Sequence, residues 1–552
     1  MRIKAAEAII KCLEAEKVTR VFGYPGGAVL PLYESLRKSH IKHVLVRQEQ
    51  SAAHMASGYG RALDKTGVCI ATSGPGATNL ITGIATAYMD SIPLIVITGQ
   101  VNSSCIGKDM FQEADIIGST LSFTKNSYLV KDARQLPKII KEAFYIASTG
   151  RKGPVLIDIP RDIQETTIDF QYPEEVNIRG YKPVTTGNPR QIKKAAELIA
   201  QAKRPLICTG GGVRASNAIH ELRQLSESLR IPVVCTLMGV GSFPSENEYY
   251  VGLIGSHGYT YVNRILNEAD LLIVCGCRLA DRSTAMMKNG INQNIIHIDI
   301  DPAEIGKNKE TIIPVVGDIK EVLNELLNFD YNLTTDGWLS EIKERKSALI
   351  RNKCSKKEKT KINPKDLINK ISKNMGRDGI WVADVGKNQI WAALSVDISD
   401  NRQFLTTGGL GTMGYSLPAA IGAKIAKPDV KVVASMGDGG FQMLLGDIAT
   451  AKSLNAGVKF IILNNGNLGM VRELQLNAYG AGSYYGTDLN FNPDFMQLAR
   501  AYSINSMKIT RVKDIDNAIK EMFKDDAPFI LECMVDPEVP SVPHLGGAYY
   551  EQ

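Results

Sequence analysis

Short apolar runs alternate with segments of helical periodicity along most of the chain. HVLV (43–46), VCIAT (68–72), LIVIT (94–98), VLIDI (155–159), LLIVCG (271–276), IIHIDI (295–300), VKVVASM (430–436) and KFIILN (459–464) are examples. A strand with one face in water would alternate apolar and polar residues. These runs do not, so they predict parallel strands covered by helices on both faces. Repeated units of this kind predict an α/β fold of doubly wound parallel sheets. Two polar seams interrupt the pattern, at 168–190 and 330–364. The second ends in a run containing Lys353, Lys356, Lys357, Lys359 and Lys361. No aromatics interleave that run, so it reads as a solvated linker helix and loop rather than a phosphate-binding patch. The seams predict three α/β domains, at 1–180, 181–345 and 346–552.

Composition narrows the class. The chain has 552 residues, 44% hydrophobic and 22% charged, which excludes wholesale disorder. Its 64 Lys and Arg against 58 Asp and Glu give a formal charge of +6. That excess is spread along the chain, so it does not point to nucleic acid or membrane as partner. The N-terminus mixes both charge signs and lacks the apolar core of a signal peptide. No run approaches the length of a membrane span. The nine cysteines are scattered and odd in number, which suits a reducing, cytoplasmic location. Cys275 and Cys277 form a C-x-C read as buried thiols, since no second Cys/His pair sits nearby to complete a metal site.

The densest chemistry lies in the third segment. The strand VKVVASM runs into Gly437-Asp438-Gly439, and Asn464-Asn465 closes the strand KFIILN after a stretch of helix length. Parallel strands joined by a crossover helix bring their C-terminal ends together, where open α/β sheets bind ligands. Asp and Asn oxygens there suit Mg²⁺ shared with phosphates, and the glycines let backbone approach a diphosphate. This pattern resembles the thiamin diphosphate (ThDP) signature. The resemblance implies that Asp438 and Asn465 hold the metal, with Asn467 completing the set through its backbone carbonyl. Gly437, Gly439, Gly440, Leu468, Gly469, Met470 and Val471 would lie along the cofactor. Such an enzyme also needs a carboxylate on the cofactor's pyrimidine nitrogen. Glu49, at the junction of HVLV with the helical SAAHMASGYGRAL, is the candidate.

The surrounding text resembles one family closely. VFGYPGGAVLPLYESL, RQEQSAAHMASGYGRA, ATSGPGATNLITGIATAYMDSIPLIVITGQV, DMFQEADI, IIHIDIDPAEIGKNK, GGLGTMGYSLPAAIGAK and LNNGNLGMV are similar to the acetolactate synthase (acetohydroxyacid synthase) catalytic subunit, over about residues 3–545. The resemblance implies two flavodoxin-like ThDP-binding domains flanking a Rossmann-like one. The pyrimidine half of ThDP would bind the first domain of one subunit and the diphosphate the third domain of its partner, in a dimer or tetramer. Glu49 would activate the cofactor, with Gln112 and Gly27 at the reaction centre. Gly386, Asn388, Gln389, Gly411, Thr412 and Met413 would contact ThDP. Phe111, Lys108, Arg161 and Leu474 would line the substrate pocket. The activity implied is decarboxylation of pyruvate and carboligation to a second pyruvate, giving 2-acetolactate for branched-chain amino acid biosynthesis. A small regulatory subunit is a possible partner, and the chain's length leaves no room for a regulatory domain of its own.

FAD is implied by Arg151, Gly210, Gly211, Gly212, Thr236, Leu237, Gly255, Ser256, His257, Arg278, Asp281, Arg282, Asp299 and Asp318. The match there is imperfect. R-F-D-D-R-V-T-G reads Arg278-Leu279-Ala280-Asp281-Arg282-Ser283-Thr284-Ala285, and a structural domain without flavin is the alternative. Other departures fall near the channel. M-V-x-Q-W reads Met470-Val471-Arg472-Glu473-Leu474, and G-Q-H-Q reads Gly386-Lys387-Asn388-Gln389. Leu474 replaces a Trp that favours 2-ketobutyrate, so that acceptor is expected to be the poorer one. Lys108, Met110 and Arg161 also depart from the family pattern. Two rival readings stay open: another ThDP-dependent 2-keto acid decarboxylase or carboligase, and a non-catalytic regulatory module.

Overall fold

The computed structural model describes residues 1–288, 293–354, 361–399 and 401–542. Among the described residues, Arg2–Lys4 and Thr167–Asp169 pair antiparallel, and the other strands fall into three six-stranded, wholly parallel sheets. Across the first sheet run Lys42–Leu45, Arg20–Tyr24, Gly67–Ala71, Leu94–Gln100, Pro154–Pro160 and Asn126–Leu129. In chain order this is 2-1-3-4-6-5, so the winding reverses between the first and third strands. The last sheet has the same order: Gln403–Leu405, Ile380–Ala383, Val432–Gly437, Val458–Asn464, Phe529–Met534 and Asn505–Ile509. The middle sheet runs Tyr250–Leu253, Val233–Cys235, Pro205–Thr209, Leu271–Cys275, Asn294–Asp299 and Ile313–Val316. That order, 3-2-1-4-5-6, is the Rossmann order. The eight apolar runs read from the sequence are all strands. Leu94–Gln100, Pro154–Pro160 and Val458–Asn464 are buried along their whole length, as strands covered on both faces must be.

The first and third domains pack through two helices, Glu49–Leu63 and Ser416–Ala426. Both are rich in Ala and Gly, so their backbones come unusually close. A Cβ at Gly58 would stand 2.0 Å from the Ala419 carbonyl oxygen, and one at Gly422 2.0 Å from that of Met55. Around the crossing, Arg61 donates to the Thr406 carbonyl at 2.7 Å and to the Tyr415 hydroxyl at 2.9 Å. One apolar core continues through the contact, from Phe22 and Met55 to Met436 and Phe460. Gly422→Ala is therefore expected to overpack the crossing and cost about 3 kcal/mol, seen as a lowered Tm. An unchanged Tm would show that the helices have room to part.

The seam at 168–190 is irregular backbone between the strand Thr167–Asp169 and the helix Pro189–Gln201. At the second seam lies a helix, Asp336–Cys354. Trp338 and Ile342 bury its first turns against the middle domain, and the Trp338 indole donates to the Pro205 carbonyl at 3.2 Å. The division expected between 345 and 346 thus falls inside this helix. Ile362 already belongs to the third core, with Leu367 and Trp381. Lys361 pairs with Asp536 at 3.6 Å. Lys356, Lys357 and Lys359 lie outside the described residues, as does the side chain of Lys353. Cys275 and Cys277 are buried and unbridged. Among the described residues no helix is long and apolar enough to cross a membrane.

Candidate active site

Each sheet reverses its winding at a switch point, and ligands of open α/β sheets bind there. In the third domain the switch lies between Ile380–Ala383 and Val432–Gly437. Asp438 opens the helix Asp438–Met443 directly from the second of these strands. Its buried carboxylate accepts from the Asn492 amide at 2.7 Å, and desolvation pushes its pKa upward. Asn465 and Asn467 form a tight turn beside it. The Asn467 N–H donates to Asn465 Oδ1 at 3.2 Å, and the Asn467 amide donates back to the Asn465 carbonyl at 2.9 Å. Asn467 Oδ1 is buried without a partner. Among the described residues no cluster of three or more His, Cys, Asp or Glu could hold a metal alone. One carboxylate with amide oxygens suits a hard cation whose remaining ligands come from phosphates.

Asp384, which the sequence did not single out, organises the surrounding loops. Its carboxylate accepts from Gly414 N–H, Ser416 N–H and the Ser416 hydroxyl, each at 3.0 Å. Burial pushes its pKa up, and those donors oppose the shift. A Cβ at Gly440 would come 3.1 Å from this carboxylate, so the Gly437–Gly440 turn rests on it. Asn388 donates to the carbonyls of Asp384 and Ser435, both at 2.8 Å, and its Oδ1 is left unpaired. Gln389 donates to the Thr406 hydroxyl and the Thr407 carbonyl. The Thr412 hydroxyl bonds Thr86 of the first domain at 2.7 Å, and Asp90 accepts from Gly408 and Gly409 N–H. The Gly408–Met413 loop is therefore held from both sides.

A cavity of about 1160 Å³ joins this edge to the middle domain. Gly411, Met413, Asp438, Asn465, Met470 and Leu474 line one end. The other end lies at the Rossmann switch point, between Gly210–Gly212 and Gly276–Arg278. Packing there is tight: a Cβ at Gly210 would meet the Gly276 carbonyl oxygen at 2.1 Å. Thr236, Leu237, Ser256, His257, Asp281, Arg282, Asp299 and Asp318 line the same end, and Gly255 and Thr412 do not reach the cavity. Burial pushes Asp299 up to about 6 and lowers His257, favouring neutral imidazole. Arg151 spans domains, donating to Glu304 at 2.7 Å and to Ser91 at 3.0 Å.

The remaining predicted residues lie in the loops and helix starts that follow strands of the first sheet. Glu49 opens the helix Glu49–Leu63, whose N-cap is Gln48, accepting from Ser51 N–H. Asn79 donates to Glu49 Oε2 at 2.9 Å, a partner the sequence did not reveal. Glu49 Oε1 faces the Gly74-Pro75-Gly76 turn, 3.5 Å from where a Gly76 Cβ would stand. Gly74 underlies Gln112, whose own φ is +61°. Glu113 accepts from Gly107 and Met110 N–H and closes the loop that presents Phe111, which is 87% exposed. Arg161 follows the strand Pro154–Pro160 and pairs with Glu165 at 3.3 Å. None of Gly27, Glu49, Lys108, Phe111, Gln112 and Arg161 lines the cavity that contains Asp438. Within one chain the two sets of residues therefore do not line a common cavity.

Known proteins share this architecture. Family models of thiamine pyrophosphate enzymes match all three parts. The N-terminal TPP binding domain matches residues 3–119, the central domain 192–326 and the C-terminal TPP binding domain 384–533. The probable acetolactate synthase large subunit of Methanococcus aeolicus is 45% identical over 556 residues, covering 97% of this chain and 92% of that one. The acetolactate synthase large subunit of Cyanidium caldarium is 43% identical, covering 96% and 93%. That of Corynebacterium glutamicum is 43% identical, covering 97% and 87%. With three matched domains and near-complete coverage by such relatives, the chain belongs to the acetolactate synthase large-subunit family of thiamine pyrophosphate enzymes.

Proposed function

We propose that two copies of this chain build each active site. Glu49, Gln112 and Gly27 of one copy would face Asp438, Asn465 and Asn467 of the other, with ThDP and Mg²⁺ between them. The observation that carries this reading is the separation of the two half-sites within one chain. Exposed apolar residues at both edges support it: Tyr24, Leu30 and Phe111 on the first domain, Leu410 and Met443 on the third. FAD would occupy the middle-domain end of the cavity, where the Rossmann order and the glycine packing suit a dinucleotide. A yellow protein releasing flavin on denaturation would support that assignment, and a colourless one would refute it. Relatives named as large subunits make a small regulatory subunit a reasonable partner.

The reaction is the condensation of two pyruvates to 2-acetolactate and CO₂. One carbon–carbon bond to a carboxylate breaks, and one forms to the keto carbon of the second pyruvate. When bound, ThDP supplies the nucleophilic carbon and the electron sink that this decarboxylation requires. Glu49 would exchange a proton with the cofactor's pyrimidine ring through Oε1, while Asn79 fixes Oε2. Asp438, Asn465 and Asn467 would hold the cation, and Asp384 fixes the loops beside it. Burial disfavours a bare Asp438 carboxylate, so the site favours a cation as its partner. The second copy would cover the half-site and exclude water from it.

Leu474 lines the cavity from an open helix and leaves space where an aromatic ring would stand. With pyruvate and 2-ketobutyrate in competition, pyruvate should be the preferred acceptor. Leu474→Trp is expected to shift the product ratio toward 2-ketobutyrate by about tenfold, the scale of one methylene's discrimination in a shaped pocket. An unchanged ratio would remove Leu474 from acceptor choice.

A further inference from the structure

The helix Gly469–Tyr479 carries Met470, Val471 and Leu474 along the cavity, yet it buries no residue of its own. Val471, Leu474, Leu476 and Tyr479 are all exposed. Apolar burial therefore does not hold this helix in place. Among the described residues its outer polar contacts reach only the segment that follows it: Arg472 to Asp488 at 3.0 Å and over the Tyr484 ring, and Gln475 to Tyr485. That segment would move with it. Glu473 is different. Its carboxylate turns inward to Lys387 Nζ at 3.1 Å and accepts from Ser541 N–H at 3.0 Å and from the Ser541 hydroxyl at 2.5 Å. Lys387 opens the helix Lys387–Ser395, and its ammonium also donates to the carbonyls of Pro537 and Val539. The two side chains are only 10% and 12% exposed. Three parts of the third domain meet at this one ion pair. Both residues stand where the motifs G-Q-H-Q and M-V-x-Q-W carry Gln, so the two departures are complementary in charge.

We propose that Lys387 and Glu473 are a positioning pair. Their buried ion pair fixes the helix Gly469–Tyr479 against residues 537–541, and so sets where Leu474 stands relative to the bound acceptor. The acceptor consequence rests on the carboligation proposed above; the latch itself does not. The charges are desolvated, so removing one strands the other, whereas removing both leaves two amides able to bond each other. The signature is rescue in the double variant.

The test uses the full-length enzyme as Lys387→Gln, Glu473→Gln and the double variant, with melting curves to confirm folding. Hydrogen exchange is read over 469–479 and 537–541, and the product ratio is read from competing pyruvate and 2-ketobutyrate. Each single variant should speed exchange in both segments by about tenfold and move the product ratio by at least about threefold, with the double variant returning to within about threefold of wild type, as coupled neighbours do. Wild-type exchange in the single variants, or additive effects in the double, would overturn the latch. A latch confirmed by exchange with no shift in product ratio would overturn its role in acceptor choice. Wild-type enzyme that forms no acetolactate would instead refute the carboligation reading, because the exchange measurement needs no turnover.

Discussion

Glu49→Gln is expected to lower kcat by at least about a hundredfold, the scale of a lost proton-transfer group, while the protein stays folded. The structure separates this outcome from a structural one. Glu49 is the first residue of its helix, but the cap is Gln48, which accepts from Ser51 N–H. The loss of a carboxylate from a helix start costs about 0.3–1 kcal/mol, so a purely structural Glu49 would show a small change in Tm and normal turnover. Gln keeps the shape and the partner for Asn79, and removes only the ability to hold the proton. Turnover at saturating ThDP and pyruvate is the readout. A folded variant with near-normal kcat would show that cofactor activation lies elsewhere.

Asp438→Asn should abolish the stabilisation that ThDP and Mg²⁺ together confer. A ligand at a hundred times its Kd stabilises the folded state by about 2.7 kcal/mol, and a lost metal ligand is expected to weaken binding by at least about a hundredfold. The wild type should therefore melt higher with cofactor and metal, and the variant should not. Asn preserves the buried shape beside Asn492. It also removes a carboxylate that burial already disfavours in the absence of a cation. The free protein should be little affected. A variant still stabilised like wild type would place the cation elsewhere.

Much of the fold was legible because the strands are covered on both faces. VCIAT and KFIILN could not be anything but interior, and each lies within one residue of a strand. The places of Asp438 and Asn465 were legible for a related reason: they sit immediately after such strands, where chain position fixes place. Residues acting across the fold were silent. Asp384 works through Gly414 and Ser416, thirty residues away, and Asn79 reaches Glu49 across the turn after the third strand. Nothing local to either marks it. The shared strand order of the first and third domains leaves no trace in sequence, because topology constrains direction and burial rather than residue identity. The helix that runs through residue 345 was not legible, because Trp338 and Ile342 face inward while the lysines that follow look like linker. Whether Glu49 and Asp438 meet within a chain or between chains could not be read from spacing, and the absence of Glu49 from the cavity lined by Asp438 carries the two-copy reading.

The most direct measurement supplies the purified protein with pyruvate, ThDP and Mg²⁺ and follows the products by NMR. The expected product is 2-acetolactate, with one CO₂ released for every two pyruvates consumed. Acetaldehyde as the main product, with one CO₂ for every pyruvate, would contradict it.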